Sequence, residues 1–266
     1  MLRQRIATAL VAIPLLIWLI LSASDAVYAS VVLAVTFVSL RELADMQRVG
    51  TQGATALTTS AGMTIALSML VDSTGATLSA GIVVALIGVM LGALATAEDM
   101  QRSVIGAAQI LFAALYGGLL LPHLIWLRSI DHGPGLVFLV LATAMASDAG
   151  GYFAGRAYGK RKLWPVVSPN KTVEGALGSV AAAVVIGTLF QMVLVGRFSF
   201  LESLVVTATL SLLAQLGDLS ESMIKRAYNA KDSGWIIPGH GGVLDRTDSM
   251  VLPIVFTYYY ASLSWT

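Results

Sequence analysis

Charged residues are scarce in this chain except between Gln215 and Asp248, where Asp218, Glu221, Lys225, Arg226, Lys231, Asp232, His240, Asp245, Arg246 and Asp248 fall in one block flanked by hydrophobic runs. If the preceding apolar helix continues through Lys225, then Asp218, Ser222 and Lys225, spaced by four and three, share one face. That face carries a carboxylate, a hydroxyl and an ammonium together. Downstream, Pro238-Gly239-His240-Gly241-Gly242 is a turn whose glycines let bare amides approach an anion. Asp245 and Asp248, three apart, point the same way from a first helical turn. Carboxylates for a cation beside amides and basic side chains for phosphate describe a site for metal-bound phosphates. The plainer reading of such a block is a solvated loop.

A second group lies upstream. Asp148 sits near the end of an apolar run, where an ionisable side chain costs on the order of 2.5–3.5 kcal/mol unless paired or wetted. A functional role is weighed there against a cap or an ion pair with Arg156. Arg161 and Lys162, interleaved with Tyr158 and Trp164, suit lipid head groups. Ser168-Pro169-Asn170-Lys171-Thr172 reads as a rigid turn into a helix whose first turn holds Glu174, and a helix start beside a lysine is an anion pocket. Gly155 to Lys160 is not a Walker A loop, because its glycine spacing differs and Arg161 stands where Ser or Thr is required. No Gly-x-Ser-x-Gly supports a hydrolase.

These groups need a scaffold, and composition says which kind. Of 266 residues 57% are hydrophobic and 12% charged, with a mean hydropathy of +0.81, more apolar surface than a soluble core of this size requires. The expected fold class is an all-α integral membrane protein. Nine apolar stretches are long enough to cross: 6–24, 26–45, 54–72, 77–96, 104–127, 135–154, 174–195, 201–220 and 249–265. The first exceeds a signal-peptide core and is expected to be retained. With a cytoplasmic N-terminus, 14 of the 16 Lys and Arg lie inside and only Arg128 and Arg197 outside. Both charged groups then face the cytoplasm. His123 and His132, on the far side by this topology, are read as interfacial or structural. The expected organisation is a helical scaffold over 1–134 and a catalytic half over 135–266. The absence of Cys removes thiolate ligands and nucleophiles.

The run from Ser222 to Asp248, with Lys225-Arg226, Lys231-Asp232, Gly234, Ile237-Pro238, His240-Gly241-Gly242 and Asp245-Arg246-Thr247-Asp248, resembles the signature of the phosphatidate cytidylyltransferases. Ser147-Asp148, Tyr152-Phe153, Gly155-Arg156, Gly159-Lys160 and Ser168 to Gly175 also look like that family, with Ala149 and Gly151 departing from its pattern. The resemblance implies transfer of CMP from CTP to phosphatidic acid, giving CDP-diacylglycerol and pyrophosphate, with Mg²⁺ and room for a second cation. Expected metal ligands are Asp218, Asp245 and Asp248. Lys225, Arg226, Lys231, Asp232, His240, Arg246 and Asp148 are expected catalytic residues. Asn170, Lys171, Glu174, Ser222, Gly241 and Gly242 are expected to bind substrate. A homodimer in a bacterial inner membrane, surrounded by its lipids and binding no nucleic acid, completes the expectation. A CTP-dependent lipid or polyprenol kinase needs the same charged groups, and an ion-coupled transporter could use Asp148 and Asp218.

Overall fold

Lipid offers backbone amides no hydrogen-bond partner, so a chain this apolar must satisfy them within helices. In the computed structural model, which describes residues 2–47, 52–71, 75–235 and 241–265, every one of the nine apolar stretches carries helix. The helices are α1 (Leu2–Leu21), α2 (Asp25–Gln47), α3 (Gln52–Ser68), α4 (Ala76–Ala95), α5 (Met100–Leu115), α6 (His123–Ser129), α7 (Gly133–Tyr158), α8 (Val173–Phe190), α9 (Phe200–Ala227) and α10 (Leu244–Ser264). A π-helical turn, Tyr116–Leu120, follows α5, and another, Gln191–Val195, extends α8. Six helical segments among the described residues are long and apolar enough to cross a membrane. Large apolar side chains such as Val83, Leu91 and Val193 point outward, as a lipid-facing surface requires. The protein is an all-α integral membrane protein. His240 with Ile237, Pro238 and Gly239, as well as Arg48, lie outside the described residues, as do the side chains of Arg3 and Arg5.

The all-α expectation needs one addition. Lys162–Trp164 (β1) and Ser168–Thr172 (β2) pair antiparallel, Lys162 opposite Thr172 and Trp164 opposite Ser168. Ser168 to Thr172, expected to be a turn, is therefore a strand. The turn lies just before it, where the Val167 N–H bonds the Trp164 carbonyl at 3.2 Å around Pro165, a residue whose fixed φ suits the second position of a β-turn.

Packing divides the chain into two compact units, Met1–Trp126 with Ala230–Arg246, and Leu127–Asn229 with Thr247–Thr266. In the first, Leu40, Leu43, Ile65 and Met69 are buried, and the Gly118 turn lies against Gly62 so closely that a Cβ at 118 would come 2.6 Å from the Gly62 Cα. Small residues there let backbones touch. In the second, Leu136, Leu139, Leu210 and Ile254 form the core. One end of this unit gathers the connections assigned to the outside: Arg197 bonds Asp131 at 2.7 Å and lies 5.5 Å over the Trp265 ring. The other end of α7 and α9 carries Asp148 and Asp218.

Candidate active site

α9 is what brings the second unit's charged groups together. Its start is fixed by a capping box between Ser199 and Glu202, and it runs 28 residues, about 42 Å at 1.5 Å per residue against a hydrocarbon thickness of about 30 Å. The helix is therefore longer than a crossing requires, and the face expected from spacing is present: Ser222 Oγ lies 3.4 Å from an Asp218 carboxylate oxygen. Lys225, on the same helical end, is held by Glu221 one turn back at 2.5 Å. Glu221 is fully buried, so this pair is sheltered from screening in a way surface pairs are not.

Opposite α9, the hairpin delivers Lys171, whose Nζ lies 2.6 Å from Asp218. The hairpin is itself tied down at both ends. Thr172 caps α8 through the Gly175 N–H at 3.1 Å, and the Glu174 carboxylate accepts the N–H groups of Lys160 and Arg161 at 2.9 and 3.1 Å. Glu174, expected to meet substrate, thus holds the loop before β1. A cavity of about 560 Å³ opens between these elements, lined by Asp148, Tyr152, Arg156, Asn170, Lys171 and Asp218 among others. Arg156 donates to the Tyr152 hydroxyl at 3.1 Å. A larger cavity of about 700 Å³, lined by Phe37, Arg41, Asp45 and Thr59 among others, contains none of the expected site residues, whereas the smaller one is lined by Asp148, Asn170, Lys171 and Asp218.

Asp248 joins this group through backbone contact. A Cβ on Gly217 would strike the Asp248 carbonyl oxygen and lie 3.4 Å from its carbon, so α9 and α10 meet here without a side chain between them. The Asp218 and Asp148 carboxylates and the Lys225 ammonium are all near enough to act on the charge of Asp248. Among the described residues no cluster of three or more His, Asp or Glu is arranged as a metal cage. Asp218 and Asp248 nevertheless fit Mg²⁺, which is commonly held by one or two carboxylates and completed by water and substrate phosphates.

The remaining signature residues belong to the first unit. Lys231, Asp232 and Arg246 are exposed, as is Arg226 in the second. Asp245, the third expected metal ligand, has one oxygen accepting the Ser233 and Gly242 N–H groups at 2.9 and 2.8 Å. The Gly242 amide expected to face a phosphate thus faces Asp245. Gly241 has φ +82°, a conformation that glycine adopts without strain.

Sequence reasoning missed Glu42. It is 4% exposed, and its carboxylate accepts the Val243 and Leu244 N–H groups at 2.9 Å each and the Ser233 hydroxyl at 3.1 Å. The available signal was an acid within an apolar helix, the same argument that singled out Asp148.

The model of the cytidylyltransferase family matches residues 3–264. A Bacillus subtilis protein named phosphatidate cytidylyltransferase is 44% identical over 155 residues, 58% of each chain. A Staphylococcus epidermidis protein of that name is 46% identical over 125 residues, 46% of this chain and 48% of its own. One from Haemophilus influenzae is 43% identical over 134 residues, 48% and 46% of the two chains. The chain thus spans about half the length of the relatives it matches.

Proposed function

The chain belongs to the cytidylyltransferase family, and from that premise we propose that it is a phosphatidate cytidylyltransferase, taking CTP and phosphatidic acid to CDP-diacylglycerol and pyrophosphate. The observation that carries this reading is the meeting of Lys171, Asp218, Asn170 and Asp148 around one cavity, in a chain 44% identical over its matched segment to a relative of that name. A phosphatidate oxygen forms the new bond to the α-phosphorus of CTP, the bond from that phosphorus to the β-phosphate oxygen breaks, and pyrophosphate leaves. The acceptor phosphate is itself the nucleophile, so the protein supplies position and countercharge.

Asp218 and Asp248 would hold Mg²⁺, which supplies neutralisation of phosphate charge when bound. Lys171 and Asn170 bind phosphate oxygens at the cavity mouth. Glu221 keeps the Lys225 ammonium in one orientation, so that less side-chain entropy is lost when a phosphate reaches it. Arg226, Lys231, Asp232, His240 and Arg246 complete the proposed catalytic set from the signature segment, with Asp245 shaping it. The proposal includes a second cation, a homodimer, nine crossings, and a bacterial inner-membrane location with the N-terminus and site in the cytoplasm. Within it, residues 135–266 carry the chemistry and 1–134 the scaffold. At the membrane surface a lipid head can meet a soluble nucleotide while its tails stay in the bilayer.

The test uses purified protein in mixed micelles with Mg²⁺, phosphatidic acid and CTP labelled in turn at the α and γ phosphates. The expected outcome is α label in lipid and γ label in pyrophosphate. Label from γ in lipid would make it a kinase, and no CTP-dependent lipid product would reject both.

A further inference from the structure

We infer that Glu42, on the scaffold helix α2, is a positioning residue for the proposed reaction, tying Ser233 to Val243 and Leu244 and so placing the signature residues beside them. This rests on the cytidylyltransferase reading.

The geometry is specific. One Glu42 oxygen takes the Val243 N–H, and the other takes the Leu244 N–H and the Ser233 hydroxyl. Leu244 is the first residue of α10, so a negative charge lies at a helix start, where unpaired amides and the helix dipole favour it. Ser233 is fixed a second time, its N–H on Asp245 and its hydroxyl accepting the Asp245 N–H at 3.3 Å. Ser233 and Leu244 are therefore both fastened to a side chain about 190 to 200 residues earlier. Space around the carboxylate is closed. A Cβ on Gly242 would come 2.6 Å from one Glu42 oxygen, and one on Gly234 would reach 2.8 Å from the carboxyl carbon. Gly234 is thus accounted for by room for Glu42, and Gly242 by room for Ser233 and Glu42 together. Lys231, Asp232, Asp245 and Arg246 lie within two residues of Ser233 or Leu244, and loss of these contacts would leave them chemically intact but badly placed, which is costly where rate depends on geometry.

A carboxylate is needed because both of its oxygens accept an N–H. Glu42→Gln puts an amide NH₂ where one acceptor was, and either orientation of the amide sets a donor against a donor. Glu42→Asp keeps both acceptors on a side chain shorter by one methylene.

The full-length parent, Glu42→Gln, Glu42→Asp and Ser233→Ala proteins are compared in micelles by amide exchange over peptides spanning 231–246 and, separately, by kcat and KM with CTP and phosphatidic acid. Glu42→Gln is expected to exchange at least tenfold faster in that segment with α3 to α5 unchanged, and to lose at least thirtyfold in kcat with KM for CTP within about threefold. Glu42→Asp should recover part of both, and Ser233→Ala should show the same pattern more weakly. Unchanged exchange in 231–246, or faster exchange throughout the first unit, would overturn the inference, as would an unchanged kcat in Glu42→Gln. If that variant does not fold, Ser233→Ala decides by the same criteria. An inactive parent would count against the proposed reaction alone, and the exchange result would still decide whether Glu42 fastens the loop.

Discussion

Lys171 and Asp218 hold one another at 2.6 Å, with 26% and 30% of their side chains exposed. One was expected to bind phosphate and the other a metal, and without either ligand each serves as the other's counterion. A metal-bound triphosphate can replace both partners at once, drawing the ammonium to phosphate and leaving the carboxylate for the cation. Lys171→Met should then cost about 1.5–3 kcal/mol of transition-state binding, roughly ten- to hundredfold in kcat/KM for CTP. It should also lower the Mg²⁺ concentration needed for half-saturation, because Asp218 no longer has a competing cation. Steady-state kinetics over a Mg²⁺ series checks both effects; a weaker Mg²⁺ response would mean that Asp218 is not a ligand.

Gly217→Ala sets a methyl against the Asp248 carbonyl. Overpacking costs about 1–3 kcal/mol, offset in part by the better helix propensity of Ala, about 1 kcal/mol. Activity should fall more than thermal stability, since the displaced group is a carboxylate of the site. Gly88→Ala in α4 is the control: nothing lies within 4 Å of its added Cβ, and melting and turnover should match the parent or improve slightly.

The Arg197 guanidinium bonded to Asp131 holds that carboxyl below its ordinary value of 3.8, with His132 adding to the effect. Because the folded value is the lower one, the pair's contribution is fully present above the ordinary carboxylate range and is lost as pH falls through the folded value. Arg197→Gln should return the Asp131 titration towards 3.8, measured by carboxyl-selective NMR. The melting difference between parent and Asp131→Asn should shrink only under strongly acidic conditions. An Asp131 titration left unchanged by Arg197→Gln would mean that the guanidinium is not what holds the carboxyl low.

Topology can be read with single cysteines, since the chain has none. Lys162→Cys should be labelled from the cytoplasmic side and Ser264→Cys from the other. Labelling of both from one side would remove the proposed odd number of crossings.

Helix positions were legible because apolar length alone selects them. The extension of α9 through Lys225 and the pairing of Asp218 with Ser222 followed from a spacing of three and four. The hairpin at 162–172 was not legible, because Pro169 and Asn170 are turn-forming types and the strand pairing depends on a partner four to ten residues earlier. Glu174 and the Gly242 amide read as ligand-binding groups by type alone. Which donor meets which acceptor is a tertiary fact, and here Glu174 meets the 160–161 backbone and Gly242 meets Asp245. Glu42 was missed for the same reason, its partners lying nearly 200 residues away in the chain.

That separation has a consequence for how the protein is made. Glu42 emerges from the ribosome 191 residues before Ser233, a delay of roughly 10–40 s at about 5–20 residues per second. Through that interval α2 carries an acid whose final partners have not been synthesised. The contacts that close the signature segment form only when almost the whole chain has been translated. A truncated product that lacks the last quarter of the sequence therefore lacks those contacts as well as the residues, and leaves the Glu42 carboxylate without its three partners at 233, 243 and 244.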